Sequence, residues 1–188
     1  MDALRAKFTS GDSDWYRLKI AIFRNFREFA IPDLFPNAHT AILIGAAEGG
    51  HIDLCEMIHD RTASDQRFVL NQHDFDEMLI CGAFGNHPEI CALAHKWGAN
   101  NFREALSGAI NRGNVELCLT IRTWGIMCEY QWRQADWESM LSSATTCGNK
   151  DLCELARHFG AIRFEQAAQN ADRYKYPEIA KMIRSWIK

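Results

Sequence analysis

Apolar and polar positions recur along the chain around five anchors, Cys55, Cys91, Cys118, Cys153 and Ala180. Two residues before each anchor stands an acid (Asp53, Glu89, Glu116, Asp151, Glu178), and one before it an aliphatic residue (Leu54, Ile90, Leu117, Leu152, Ile179). Four residues after it comes His59, His95, Arg122, Arg157 or Arg184. Six after it, four of the copies carry an aromatic: Trp97, Trp124, Phe159 and Trp186. Upstream, position −16 holds His39, Phe75, Phe102, Trp137 and Phe164, and position −12 holds Leu43, Leu79, Leu106, Leu141 and Ala168. Position −9 takes only small residues: Ala46, Gly82, Ala109, Ala144 and Ala171. Such self-similarity is the mark of a repeat architecture.

Positions −16, −12 and −9 share one face at helical spacing, and positions −1, 0, +2 and +3 form a second apolar stripe. Gly50, Gly113 and Gly148 between the stripes allow a sharp turn, so each unit reads as a hairpin of two short helices. The acid falls in the first turn of the second helix and the basic residue in its last, both complementing the helix dipole. The glycine in Trp97-Gly98-Ala99 and Phe159-Gly160-Ala161 supplies a stop. A hairpin of this kind cannot bury its apolar side without a neighbour. The expected fold is therefore all-α, a helical-hairpin repeat solenoid of about five repeats. Residues 39–188 form one continuous array, and 1–38, around Leu4, Phe8, Gly11, Trp15 and Leu18, form an N-terminal helical cap or degenerate repeat. On this reading Cys55, Cys91, Cys118, Cys153, Trp97, Trp124, Phe159 and Trp186 are structural repeat positions.

The intervals between anchors alternate long and short, and the long connectors, 60–74 and 123–136, resemble each other. Phe68, Leu70, Gln72 and Asp74 match Tyr130, Trp132, Gln134 and Asp136. Aromatic and arginine residues are typical of protein interfaces, which makes Arg67, Phe68, Tyr130, Gln131, Trp132 and Arg133 the candidate partner-binding residues. The same residues admit a second reading, in which Phe68, Leu70, Tyr130 and Trp132 tuck back as an extra packing layer. Arg67, Gln131 and Arg133 would then still face outward.

Composition narrows the chemistry. With 188 residues, 47% hydrophobic and 24% charged, the chain has the material for a sizeable core without staples. A net charge of −3 argues against a general nucleic-acid footprint. The best apolar run, Ala41 to Ala47, is far short of the roughly 20 residues of a membrane span, and the amino terminus lacks a secretory pattern. Seven cysteines, an odd number without a Cys-x-x-Cys pair, read as free thiols of a reducing compartment. Equivalent residues in neighbouring units lie about 8 to 10 Å apart, too far to share one zinc. The anchor cysteines are therefore expected to be small buried hydrophobes, with Cys128 the exposed thiol. His51 and His87 share a turn position with Asn114 and Asn149, and His59 and His95 share one with arginines, which points to caps and helix ends rather than catalysis. A Cys91–His95 nucleophile pair falls on scaffold positions. The Asp12-Ser13-Asp14 run lacks calcium-loop spacing. No catalytic residue, metal site or cofactor is expected.

The run Ala46 to Asp60, "AAEGGHIDLCEMIHD", resembles ankyrin repeats in its paired alanines, glycine-histidine, acid and aliphatics. It departs from them in lacking the Thr-Pro-Leu-His opening, so a β-hairpin finger in each unit is not expected. "ICALAHKWGA" and "LCELARHFGA" are similar to divergent ankyrin-like proteins of large cytoplasmic DNA viruses, the asfarvirus multigene families and those of irido- and marseilleviruses. The resemblance covers residues 40 to 188 and implies binding of a protein partner, host or viral, without catalysis. The expectation is a cytoplasmic interaction module that binds through the connectors and the first-helix face, a viral modulator of host proteins. The alternative is a structural or assembly component of a virus particle. No nucleic-acid or membrane partner is expected, and the C-terminal "EIAKMIRSWIK" is either a polar cap or a surface for self-association.

Overall fold

The computed structural model describes residues 39–64 and 69–187. The segment 1–38, read as a cap or degenerate repeat and including Asp12 and Asp14, lies outside the described residues, as do Arg67 and Phe68. Among the described residues there are ten α-helices and no strand. They are α1 (His39–Gly49), α2 (Ile52–Ser64), α3 (Gln72–Gly85), α4 (Pro88–Lys96), α5 (Phe102–Asn111), α6 (Val115–Met127), α7 (Gln134–Cys147), α8 (Lys150–Phe159), α9 (Phe164–Arg173) and α10 (Pro177–Arg184). They pair in sequence, α1 with α2 through α9 with α10, a helical repeat arrangement. The chain divides into two compact units, Met1–Asn101 and Phe102–Lys188. In the first, α3 packs on both α1 and α4. In the second, α7 lies against α5 on one side and α9 on the other, so first helices stand side by side.

The small residue at position −9 has a steric cause. A Cβ added at Gly82 would stand 2.9 Å from Ile90 Cγ2 and 3.2 Å from Cys91 Sγ, so the two helices of the pair touch there. Cys91 in turn donates a long hydrogen bond, 3.7 Å, to the Leu79 carbonyl on the facing helix. The anchor is thus a small residue that packs like an apolar one and satisfies a carbonyl.

The reversal inside each pair is the same five times. One residue takes a left-handed backbone: Gly50 (φ 83°), Asn86 (65°), Gly113 (71°), Gly148 (71°) and Lys175 (65°). The next residue's N–H then returns to the carbonyl at position −9: His51 to Ala46, His87 to Gly82, Asn114 to Ala109, Asn149 to Ala144 and Tyr176 to Ala171, all at 2.8–3.0 Å. This closes the carbonyls left open at the helix end. The three glycines are where the sequence places turns; asparagine and lysine do the same work in the other two.

The last two second helices are strongly amphipathic. In α8, Leu152, Cys153 and Ala156 are buried, and Asp151, Glu154 and Arg157 are exposed. In α10, Ile179, Ala180 and Ile183 are buried while Glu178, Lys181 and Arg184 face water. Arg184 forms an ion pair with Asp172. Asp172 occupies a position that is buried and uncharged in the other pairs, at Ala47, Ala83, Ile110 and Thr145. This polar outer face leaves Ile187 as an exposed apolar residue next to the half-buried Trp186.

Candidate protein-interaction surface

The connector 128–133 is where the candidate residues separate. Tyr130 meets Phe102 edge-on at 6.0 Å and Trp132 at 4.8 Å, and Trp132 leans on Trp137 at 5.1 Å. Gly125, buried in α6, is glycine because the Trp132 indole lies where its Cβ would be, 2.8 Å away. Burial raises the Tyr130 phenol's pKa, and the carboxylate of Asp136 adds to the effect. Tyr130 and Trp132 are therefore a packing layer over the second unit, one of the two readings the sequence leaves open. Gln131 and Arg133 are exposed, as both readings require.

Each long connector ends in a capping network that the sequence reveals only as a match. Asp74 accepts the Asn71 N–H at 2.8 Å and the Thr40 hydroxyl at 2.8 Å. Its counterpart Asp136 accepts the Arg133 N–H at 2.7 Å and pairs with Arg103 Nε at 3.0 Å. Both carboxylates are buried, and each has the partners that a buried charge requires. Gln72 and Gln134 repeat the symmetry by donating to the carbonyls of Gly98 and Gly160. Asp76 holds the N–H groups of Asn100 and Asn101 at 2.7 and 3.0 Å. Glu138 does the same for Ile162 and Arg163 at 2.9 and 3.2 Å.

The basic residue at position +4 does more than complement a helix end. His59 stacks flat on Trp97, with centroids 4.1 Å apart and planes 7° apart. Arg122 lies 4.1 Å over the Phe159 ring, and Arg157 lies 4.8 Å over Trp186. In each case a residue at +4 covers the aromatic at +6 of the following pair, a cation–π contact where it is arginine. The turn residue at −4 also reaches back to the preceding pair. Asn114 and Asn149 cap their own helices through the N–H of Leu117 and Leu152, as expected of that position. Asn149 also donates to the Gly113 carbonyl at 3.3 Å. His87 does not cap its own helix with its side chain; its Nε2–H donates to the Glu48 carbonyl at 3.2 Å, and its ring covers Gly50.

The first-helix face of the second unit is open. Between α7 and α9 lies a trough of about 470 Å³ over buried Leu141 and Ala167. Its polar lining is Ser139, Ser142, Gln166 and Asn170, with Gln134, Glu138 and Arg163 at the amino-terminal end of the two helices. Ser139, Ser142, Gln166 and Asn170 have no side-chain hydrogen bond among the described residues, and the Arg163 guanidinium has no ion pair there. Along the neighbouring connector edge Ile126, Met127 and Ile162 are exposed, Met127 at 72% and Ile162 at 69%. This trough was not among the candidate residues. Its sequence signal is the run of small exposed residues, Ala135, Ser139 and Ser142, on the outward face of a helix whose inward face is Trp137, Met140, Leu141 and Ala144.

The groups with nucleophilic potential lie elsewhere. The thiols of Cys55, Cys91, Cys118 and Cys153 are pushed up to about 12 by burial. All seven cysteines are free; Cys128 is exposed, as the sequence suggests, and so is Cys147 at the end of α7. Among the described residues no group of three or more His, Cys, Asp or Glu side chains is placed to hold a metal ion. No helix among them is long and apolar enough to cross a membrane. No protein-family model matches the chain, and a search of curated proteins finds no significant match.

Proposed function

We propose that this protein is a non-enzymatic, ankyrin-like interaction module that binds a protein partner through the first-helix face of its second unit and the adjoining connector edge. The observation that carries this reading is the trough between α7 and α9. The side chains of Ser139, Ser142, Gln166 and Asn170 make no hydrogen bond among the described residues, whereas Gln134 and Glu138 in the same lining hold the connector before α9. Polar groups left to water beside a shallow apolar floor suit a partner that supplies the missing bonds. Exposed Gln131, Arg133, Met127 and Ile162 extend the surface. The burial of the four recurrent thiols supports a scaffold role for them rather than a chemical one.

The test is affinity purification of the full chain from its natural setting with mass spectrometry, run beside Ser142→Trp. That change fills the trough from an exposed position, so the free energy of unfolding should stay within about 0.5 kcal/mol of the parent. Partners captured by the parent should be lost from the variant; retention of every partner overturns the assignment of this face.

A further inference from the structure

The geometry points to an extended peptide segment bearing one acidic side chain as the occupant of the trough, an inference that rests on the trough being the interaction surface. The argument begins with charge. Only two lining residues are charged, Glu138 and Arg163. The Glu138 carboxylate keeps its charge, but its oxygens are occupied by the N–H groups of Ile162 and Arg163 and by the amide of Gln134 at 3.0 Å. Arg163 is exposed and its guanidinium has no hydrogen bond or ion pair among the described residues, so it is the charged group of the lining still open to a partner. A guanidinium fork matches a carboxylate in two parallel hydrogen bonds.

The remaining lining is neutral and two-sided. Gln166 and Asn170 each offer a donor and an acceptor on one primary amide, and the hydroxyls of Ser139 and Ser142 do both as well. That is the complement of a peptide backbone, which presents an N–H and a C=O at every residue. The lining runs from 134 to 142 on α7 and from Arg163, the residue before α9, to Asn170 on that helix. At a helix rise of 1.5 Å per residue this is roughly 12 Å, the span of about four residues of extended chain. Ala135, Ser139 and Ser142 are small enough for a backbone to approach the helix closely. The acidic side chain therefore sits at the Arg163 end, with three neutral residues running toward Ser142 and Asn170.

The full chain, immobilised, should select from a phage-displayed library of random heptapeptides sequences with one Asp or Glu followed by uncharged residues. Selected peptides, synthesised singly, should bind Arg163→Glu at least tenfold more weakly. Exchanging their acid for lysine should restore binding to that variant. Ser142→Trp should bind none of them. Peptides selected without an acidic preference, or binding Arg163→Glu undiminished yet lost from Ser142→Trp, would overturn the charge inference and leave the trough standing. Peptides indifferent to both changes would overturn the trough itself, and failure to select any peptide would overturn the peptide-occupant inference. Unchanged thermal unfolding of both variants guards against misfolding, since both positions are exposed.

Discussion

Trp132 shows how one residue's surroundings decide its role. It is a half-buried indole wedged between Gly125, Tyr130 and Trp137, and its Nε1 is enclosed without a hydrogen-bond partner among the described residues. Trp132→Ala should lower the stability of the second unit by about 3 kcal/mol, in the range of core aromatic truncations. Arg133→Ala, at an exposed neighbour, should stay within about 0.5 kcal/mol. Urea denaturation checks both; equal effects would mean that the indole is not part of the packing. The kinship of Tyr130 and Trp132 with Phe68 and Leu70 is legible in the sequence, but which way these rings turn is not. That depends on Gly125 and Phe102, which the chain brings up from other elements. The +4 and +6 positions are legible as recurrent for the same reason, while their meeting across successive pairs is not: each recurrence is local, and the contact is not.

At the scale of elements, the turn inside each pair carries the sharpest prediction. Gly148 has φ 71°, and a Cβ built on it would overlap the Tyr176 ring. Gly160 has φ 111° with nothing within 4 Å of its would-be Cβ. Gly148→Ala therefore combines backbone strain with a clash and should cost about 2–4 kcal/mol, whereas Gly160→Ala carries the strain alone, about 1–2 kcal/mol. Melting of the two variants side by side tests the order. Helices, pairing and three of the five turns follow from the 3.6-residue period and the glycines. Asn86 and Lys175 take the left-handed conformation without glycine's freedom, because the following N–H returning to position −9 closes the turn. The capping roles of Asp74 and Asp136 are half legible: an acid three residues after the connector's last residue marks a cap, but Thr40 and Arg103, which complete the networks, come from preceding first helices.

For the whole molecule, the recurrent thiols couple stability to alkaline pH. Cys55 and Cys91 lie in the first unit and Cys118 and Cys153 in the second, and each is raised from 9.0 to about 12, with burial the main cause. A raised thiol pKa means that the folded state favours the neutral form. Its contribution is complete below about pH 9 and is lost as pH climbs from 9 toward 12. Urea midpoints should hold to pH 8.5 and fall steeply by pH 10.5, with a shallower fall in Cys118→Ala; a flat profile would contradict the burial.

The sequence by itself determined the helices, their pairing and the apolar side of each, because helical periodicity and small residues at close approaches are local properties of the chain. Only the tertiary structure decided which polar groups were left over. Glu138 and Arg163 stand as equals in the sequence. In the fold the carboxylate oxygens of one are taken up by the N–H groups of the connector before α9 and the guanidinium of the other is left open among the described residues, because the accounting of buried and satisfied groups closes only when distant segments meet.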